Sequence, residues 1–151
     1  MIIYTITNAF ADVKGIATLL EQLTPTDGEL EQKALYKAAY RIFMNEDYTV
    51  WIARDYNTKR IIGTAMLRIE YKLSHKGVPS AHIEDVVVDY EYRKQGIATE
   101  LIKQIIETAK KTGCYKVTLN CFEAKKPFYE KLGFRNHDIG MRIDLPTERA
   151  P

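Results

Sequence analysis

Cysteine is nearly missing from this chain. Cys114 and Cys121 are the only two; they form no metal-ligand spacing, and buried thiols in a reduced, cytoplasmic setting are the simplest expectation. Histidine is as sparse: His75, His82 and His137 sit in no H-E-x-x-H or comparable cluster, so no metal is expected. Neither sign of charge dominates. The 22 Lys and Arg against 20 Asp and Glu leave a formal net charge of +2, too small an excess to support nucleic-acid binding. No apolar run reaches membrane-spanning length, and MIIYTITNAF lacks the basic region and cleavage site of a secretory signal, so no membrane partner is expected. Repeats, linkers and low-complexity segments are absent. So are the two common nucleotide fingerprints, G-x-x-x-x-G-K-S/T and G-x-G-x-x-G.

What is present is the composition of one soluble globular domain over residues 1–151, with 46% hydrophobic and 28% charged residues. The pattern from Ile2 to Ile6 predicts a strand, and Phe10, Val13, Ala17 and Leu20 recur at helical spacing up to about Leu23. Pro25 and Gly28 break that helix. Thr26-x-x-Glu29 is a candidate capping box for a second helix that ends near Asn45. Strands follow at Tyr48–Arg54 and Arg60–Lys72, joined by a hairpin turn; the second alternates as a half-buried antiparallel strand does. After a loop from Ser74 to Ser80 come a buried strand from His82 to Val88, a helix from Gly96, a strand around Tyr115 to Leu119, a short helix from Phe122 to Leu132 and a last strand from Phe134 to Leu145. The expected order is β-α-α-β-β-β-α-β-α-β, an α+β fold with a mixed, mostly antiparallel central sheet flanked by helices.

The stretch AHIEDVVVDYEYRKQGIATELIKQIIETAKKT carries the strongest functional signal. A strand feeding a helix through a glycine turn leaves the helix's first N–H groups unpaired and its positive dipole end outward, which favours an anion. Arg93, Lys94 and Gln95 add donors just before Gly96. Downstream, Ile97, Leu101, Ile105 and Ala109, widened by Ile102 and Ile106, form the apolar stripe.

Arg93-x-x-Gly96-x-Ala98 between strand and helix resembles the pyrophosphate loop of the GNAT superfamily of acyl-CoA N-acyltransferases. HIEDVVVDYEYRKQGIATELI, GCYKVTLNC and FYEKLGF together are similar to its glucosamine 6-phosphate N-acetyltransferases of eukaryotic type, most closely from Lys72 to Met141. The resemblance implies the GNAT fold, acetyl-CoA as cosubstrate, an aminosugar phosphate as acceptor on the way to UDP-N-acetylglucosamine, and a homodimer with shared sugar sites. It places Val86, Val87 and Val88 against the pantetheine arm and Arg93, Lys94, Gln95, Gly96, Ile97, Ala98 and Thr99 around the pyrophosphate. Tyr129 is implied as general acid or hydrogen-bond donor to the departing thiolate. Glu84 and Asp85 are implied at the acceptor amine; adjacent strand residues face opposite sides, so both reach one ligand only if the strand bulges there. Thr24, Lys72, His75 and Asn120 are implied sugar or phosphate contacts.

Three positions depart from that pattern. Asn120 stands where the resemblance expects an aspartate, Lys125 where it expects an asparagine on the CoA arm, and Asp144 where it expects an arginine for the phosphate. Arg142, two residues earlier on the same expected strand face, is a candidate substitute. Two other readings stand beside this one: a GNAT enzyme for another amine, such as a polyamine, an amino acid or a protein lysine, and a CoA-binding module without catalysis.

Overall fold

The computed structural model describes residues 1–24 and 32–145; the candidate capping box at Thr26 and Glu29 lies outside them. Contacts group the chain into two compact units, Met1–Leu119 and Asn120–Pro151.

In the first unit five strands form one sheet in sequence order: β1 (Ile2–Thr7), β2 (Tyr48–Asp55), β3 (Ile61–Glu70), β4 (Ser80–Val88) and β5 (Val117–Leu119). Neighbours are antiparallel except β4 and β5, which run parallel. The helices are α1 (Val13–Leu20), α2 (Gln32–Phe43) and α3 (Ile97–Lys111). In α3 the expected apolar stripe is buried as Ile97, Leu101, Ile102, Ile105 and Ala109. It lies against β3 at Gly63, where a Cβ would come within 3.0 Å of Ile97 Cγ2 and 3.2 Å of Leu101 Cδ1. A glycine there lets the helix approach the sheet.

On the other face α1 and α2 bring Ile16, Ile42 and Phe43 onto Val50, Ile52 and Met66. A cavity of about 100 Å³ remains between these helices and the sheet, and its lining is apolar except for Thr64 and Asp85. Helices on both faces explain one correction. β3 is buried continuously from Ile62 to Leu67, where helices cover both faces, and the expected alternation holds only beyond it, with Ile69 buried between the partly exposed Arg68 and Glu70.

In the second unit a turn at Glu123–Lys125 leads into α4 (Lys126–Glu130), with Pro127 in its first turn, where a missing N–H costs little. The sixth strand expected from Phe134 to Leu145 is not formed. Its alternation is plain, yet a strand needs a ladder partner for its backbone groups, and among the described residues none pairs with it. Ile139, Met141, Ile143 and Leu145 are left 73–95% exposed. The thiols are a further correction: both cysteines are free, Cys114 is half-buried and Cys121 exposed.

Candidate active site

The site begins where β4 and β5 part. Their parallel ladder pairs Ala81 with Val117, His82 with Thr118 and Ile83 with Leu119, then stops because β5 is only three residues long. From Glu84 onward the outer edge of β4 has no strand partner among the described residues, while its inner edge stays on β3 as far as Val88 opposite Gly63. A bare edge of this kind accepts an extended ligand as an added strand. Val86 and Val88 are half-buried there and Val87 is buried.

Glu84 faces Met66 and Val87 faces Thr64, so three steps on β4 run against two on β3. The extra residue is a bulge, and Asp85 takes the left-handed conformation at φ +55°. This is the condition that two adjacent carboxylates need in order to serve one ligand. Glu84 lies 3.3 Å from Arg68 Nη1, and Asp85 lines the cavity with Thr64 and Met66 on the same face of the sheet. Solvent reaches Asp85, but the concave surroundings dominate: burial first, and the charge of Glu84 second, push its carboxyl above the ordinary range.

That shift makes a stability prediction. A carboxyl raised by folding is destabilising when ionised, so the cost is present above its folded-state pKa and vanishes as pH falls below the unfolded value. Asp85→Asn, whose amide also suits φ +55°, should therefore raise the thermal midpoint at neutral pH and lose that advantage in acid. A midpoint that drops at pH 7 would contradict it.

Arg68 is the partner that sequence reasoning missed. Its guanidinium also donates to Glu70 at 2.7 Å, and Glu70 in turn holds Lys72 Nζ at 3.3 Å. Glu84 is thus oriented through a four-residue chain of charges, with Arg68 Nε buried and without a hydrogen-bond partner. The available signal was an arginine inside an otherwise apolar strand. His75 is exposed at φ +55° with its ring 4.5 Å from that of Tyr115. Thr24 is exposed just past α1, its N–H bonded to Leu20 O.

After Val88 the chain turns through a short 3₁₀ turn at Tyr90–Tyr92. Arg93 Nε donates to Val88 O at 3.1 Å. Lys94 and Gly96 are both left-handed, at φ +62° and +81°, and Arg93 to Gly96 are exposed. Gly96 caps α3 without any side-chain hydrogen bond, so the N–H groups of Ile97, Ala98 and Thr99 have no acceptor within the helix. Left-handed residues turn successive amides toward one side, and a 15-residue helix adds its dipole. The donor set fits a diphosphate.

Tyr129, Asn120, Lys125 and Arg142 belong to the second unit. Tyr129 is half-buried in α4, its ring edge-on to Phe128 at 4.9 Å and to Phe134 at 5.9 Å. Burial, and then the charge of Cys121, push its hydroxyl pKa up. Asn120 and Lys125 are exposed. Arg142, the candidate substitute, is held by Asp144 at 2.5 Å, so the residue standing in the arginine's place engages the one proposed to replace it.

The structure therefore brings Glu84, Asp85 and Val86–Val88 together with the loop ending at Gly96, on one strand and the turn that follows it. Known proteins resemble the chain across this region. A glucosamine 6-phosphate N-acetyltransferase of Trypanosoma brucei brucei is 50% identical over 88 residues, which span 58% of this chain and 60% of that one. Glucosamine 6-phosphate N-acetyltransferase 1 of Dictyostelium discoideum is 33% identical over 89% of this chain and 85% of its own. The crystal structure of a Trypanosoma brucei acetyltransferase superposes with a TM-score of 0.87 at 36% identity, covering 96% of this chain and all of that one. The family model for acetyltransferases of the GNAT type matches residues 15–134, from α1 through Tyr129 to Phe134. With the open β4 edge, its bulge and the anion cradle all inside that match, the chain belongs to the acetyltransferase (GNAT) family.

Proposed function

We propose that this protein transfers the acetyl group of acetyl-CoA to the 2-amine of glucosamine 6-phosphate, giving N-acetylglucosamine 6-phosphate, by direct attack without an acyl-enzyme. The observation that carries the reading is the likeness to the Dictyostelium enzyme along nearly the whole chain, supported by the bulged carboxylate pair of β4.

Acetyl-CoA supplies an acyl thioester. The chain's residues do the rest. Val86–Val88 offer backbone groups to the pantetheine arm, and the amides from Arg93 to Thr99 hold the pyrophosphate. Backbone N–H groups near Val86 are fixed dipoles able to stabilise the developing oxyanion without reorganising. Glu84, oriented by Arg68, and Asp85 hold and orient the acceptor amine, and a carboxyl with a raised pKa is a better proton acceptor than an ordinary one. Tyr129 keeps its proton for the departing thiolate. Thr24, Lys72, His75, Asn120 and Arg142 remain the proposed sugar and phosphate contacts. The family match takes in residues of both units, in keeping with residues 1–151 acting as one acetyltransferase domain.

A homodimer follows the same reading. Ile139, Met141, Ile143 and Leu145 present an exposed period-two apolar edge that a second copy would cover. Two unpaired cysteines accord with a cytoplasmic setting, and no helix among the described residues is long and apolar enough to cross a membrane. A second reading, another amine as acceptor, is favoured by the apolar cavity beside Asp85 and by the Arg142–Asp144 pair.

A thiol-release assay separates the two. Glucosamine 6-phosphate should support turnover, and unphosphorylated glucosamine should raise KM by about tenfold or more, the cost of one charged contact. Equal KM for the two sugars, or preference for a polyamine, would overturn the assignment.

A further inference from the structure

The loop between Val88 and Gly96 is fastened at two points to the turn joining β2 and β3. Tyr92 donates its hydroxyl to Asp55 Oδ2 at 3.0 Å, and Arg60 Nη2 reaches Asp89 Oδ2 at 3.1 Å. Each carboxylate divides its oxygens between two loops. Asp55 Oδ1 accepts the N–H groups of Asn57 and Thr58 inside its own turn, while Asp89 Oδ1 accepts the N–H of Glu91. The two loops interlock, although the partners lie 37 and 29 residues apart in sequence.

The β2–β3 turn is itself braced. Arg54 bonds Lys59 O at 2.8 Å and Asp12 at 2.6 Å. Asp89 is only 4% exposed, so its charge needs a partner and Arg60 is the one it has. The contact of Arg60 with Glu91, at 3.6 Å and half exposed, adds little. The bond from Tyr92 is assisted by a charged acceptor.

Two left-handed residues in three positions, Lys94 among them, form an arrangement that a free loop leaves readily. A loop that wanders must be ordered when ligand binds, and that ordering subtracts from affinity. We propose that Tyr92 and Arg60 are positioning residues for the acyl carrier: by tying the cradle to the β2–β3 turn they hold the amides of residues 93–99 in their ligand-ready arrangement before any diphosphate arrives. This rests on the acetyl-CoA site proposed above.

Calorimetric titration of coenzyme A into the full chain, beside steady-state kinetics, tests it. Tyr92→Phe and Arg60→Gln should each weaken coenzyme A about threefold, and together about tenfold. KM for acetyl-CoA should rise in step, with kcat at saturation and acceptor KM unchanged, and Arg60→Lys should recover part of the loss. Amide exchange of residues 93–99 should quicken in the double variant. Tyr92→Phe leaves no buried charge behind, so it reports even if Arg60→Gln folds poorly. Unchanged coenzyme A affinity in a folded Tyr92→Phe and double variant, or a loss confined to kcat, overturns the proposal. If the wild-type chain binds no coenzyme A, the acetyl-CoA site itself is wrong and the inference falls with it.

Discussion

Replacing Tyr129 by phenylalanine should lower kcat about a hundredfold, the lower end of what a positioned proton donor contributes, while leaving KM for acetyl-CoA close to its wild-type value. The substitution removes one oxygen and keeps the ring, so the edge-on packing against Phe128 and Phe134 is retained and the short helix from Lys126 to Glu130 should survive. The pH dependence carries the sharper test. Burial and the neighbouring Cys121 raise the Tyr129 pKa, so the hydroxyl stays protonated beyond the ordinary tyrosine value, and wild-type kcat should decline on the alkaline side only above about pH 10. The substituted ring has no proton to lose. The variant should show low, flat turnover across the same range. A variant with wild-type kcat would take Tyr129 out of the acid role; one that keeps the alkaline decline would assign that decline to another group.

The parts of this fold that could be read from the sequence are those set by neighbours along the chain. The stripe of Ile97, Leu101 and Ile105, the glycine turn that opens α3 at Gly96 and the proline at the start of α4 are local signals, and the structure contains each of them. What escaped depends on register between distant segments. That Asp85 is the bulged residue is decided by how β4 meets Thr64 and Met66 on β3, and nothing in IEDVVV alone places the extra residue there. Arg68 shares a face with Glu84 for the same reason. The two ties of the cradle join residues whose separation no local pattern encodes. The alternation from Phe134 to Leu145 failed in the opposite way: it was legible, but the partner that would make it a strand is not among the described residues of this chain.

Gly96→Val should nearly abolish coenzyme A binding, raising Kd by about a hundredfold or more. Two effects combine. At φ +81° a β-branched residue is held where it is rarely found, at a cost of order 1–3 kcal/mol, and its side chain would project where the backbone is meant to meet a phosphate. No atom lies within 4 Å of the added Cβ in the free protein, so internal clash plays no part and the backbone cost alone falls on stability, a thermal midpoint lower by about 5 °C for a chain of this size. Gly113 supplies the control. It is equally left-handed at φ +80°, equally open around its Cβ, and sits just beyond the other end of α3. Gly113→Val should lower the midpoint by a similar amount and leave coenzyme A affinity unchanged. If both variants lose affinity alike, the loss comes from a weakened helix; if only Gly96→Val does, the amides at the start of α3 are where the diphosphate is held.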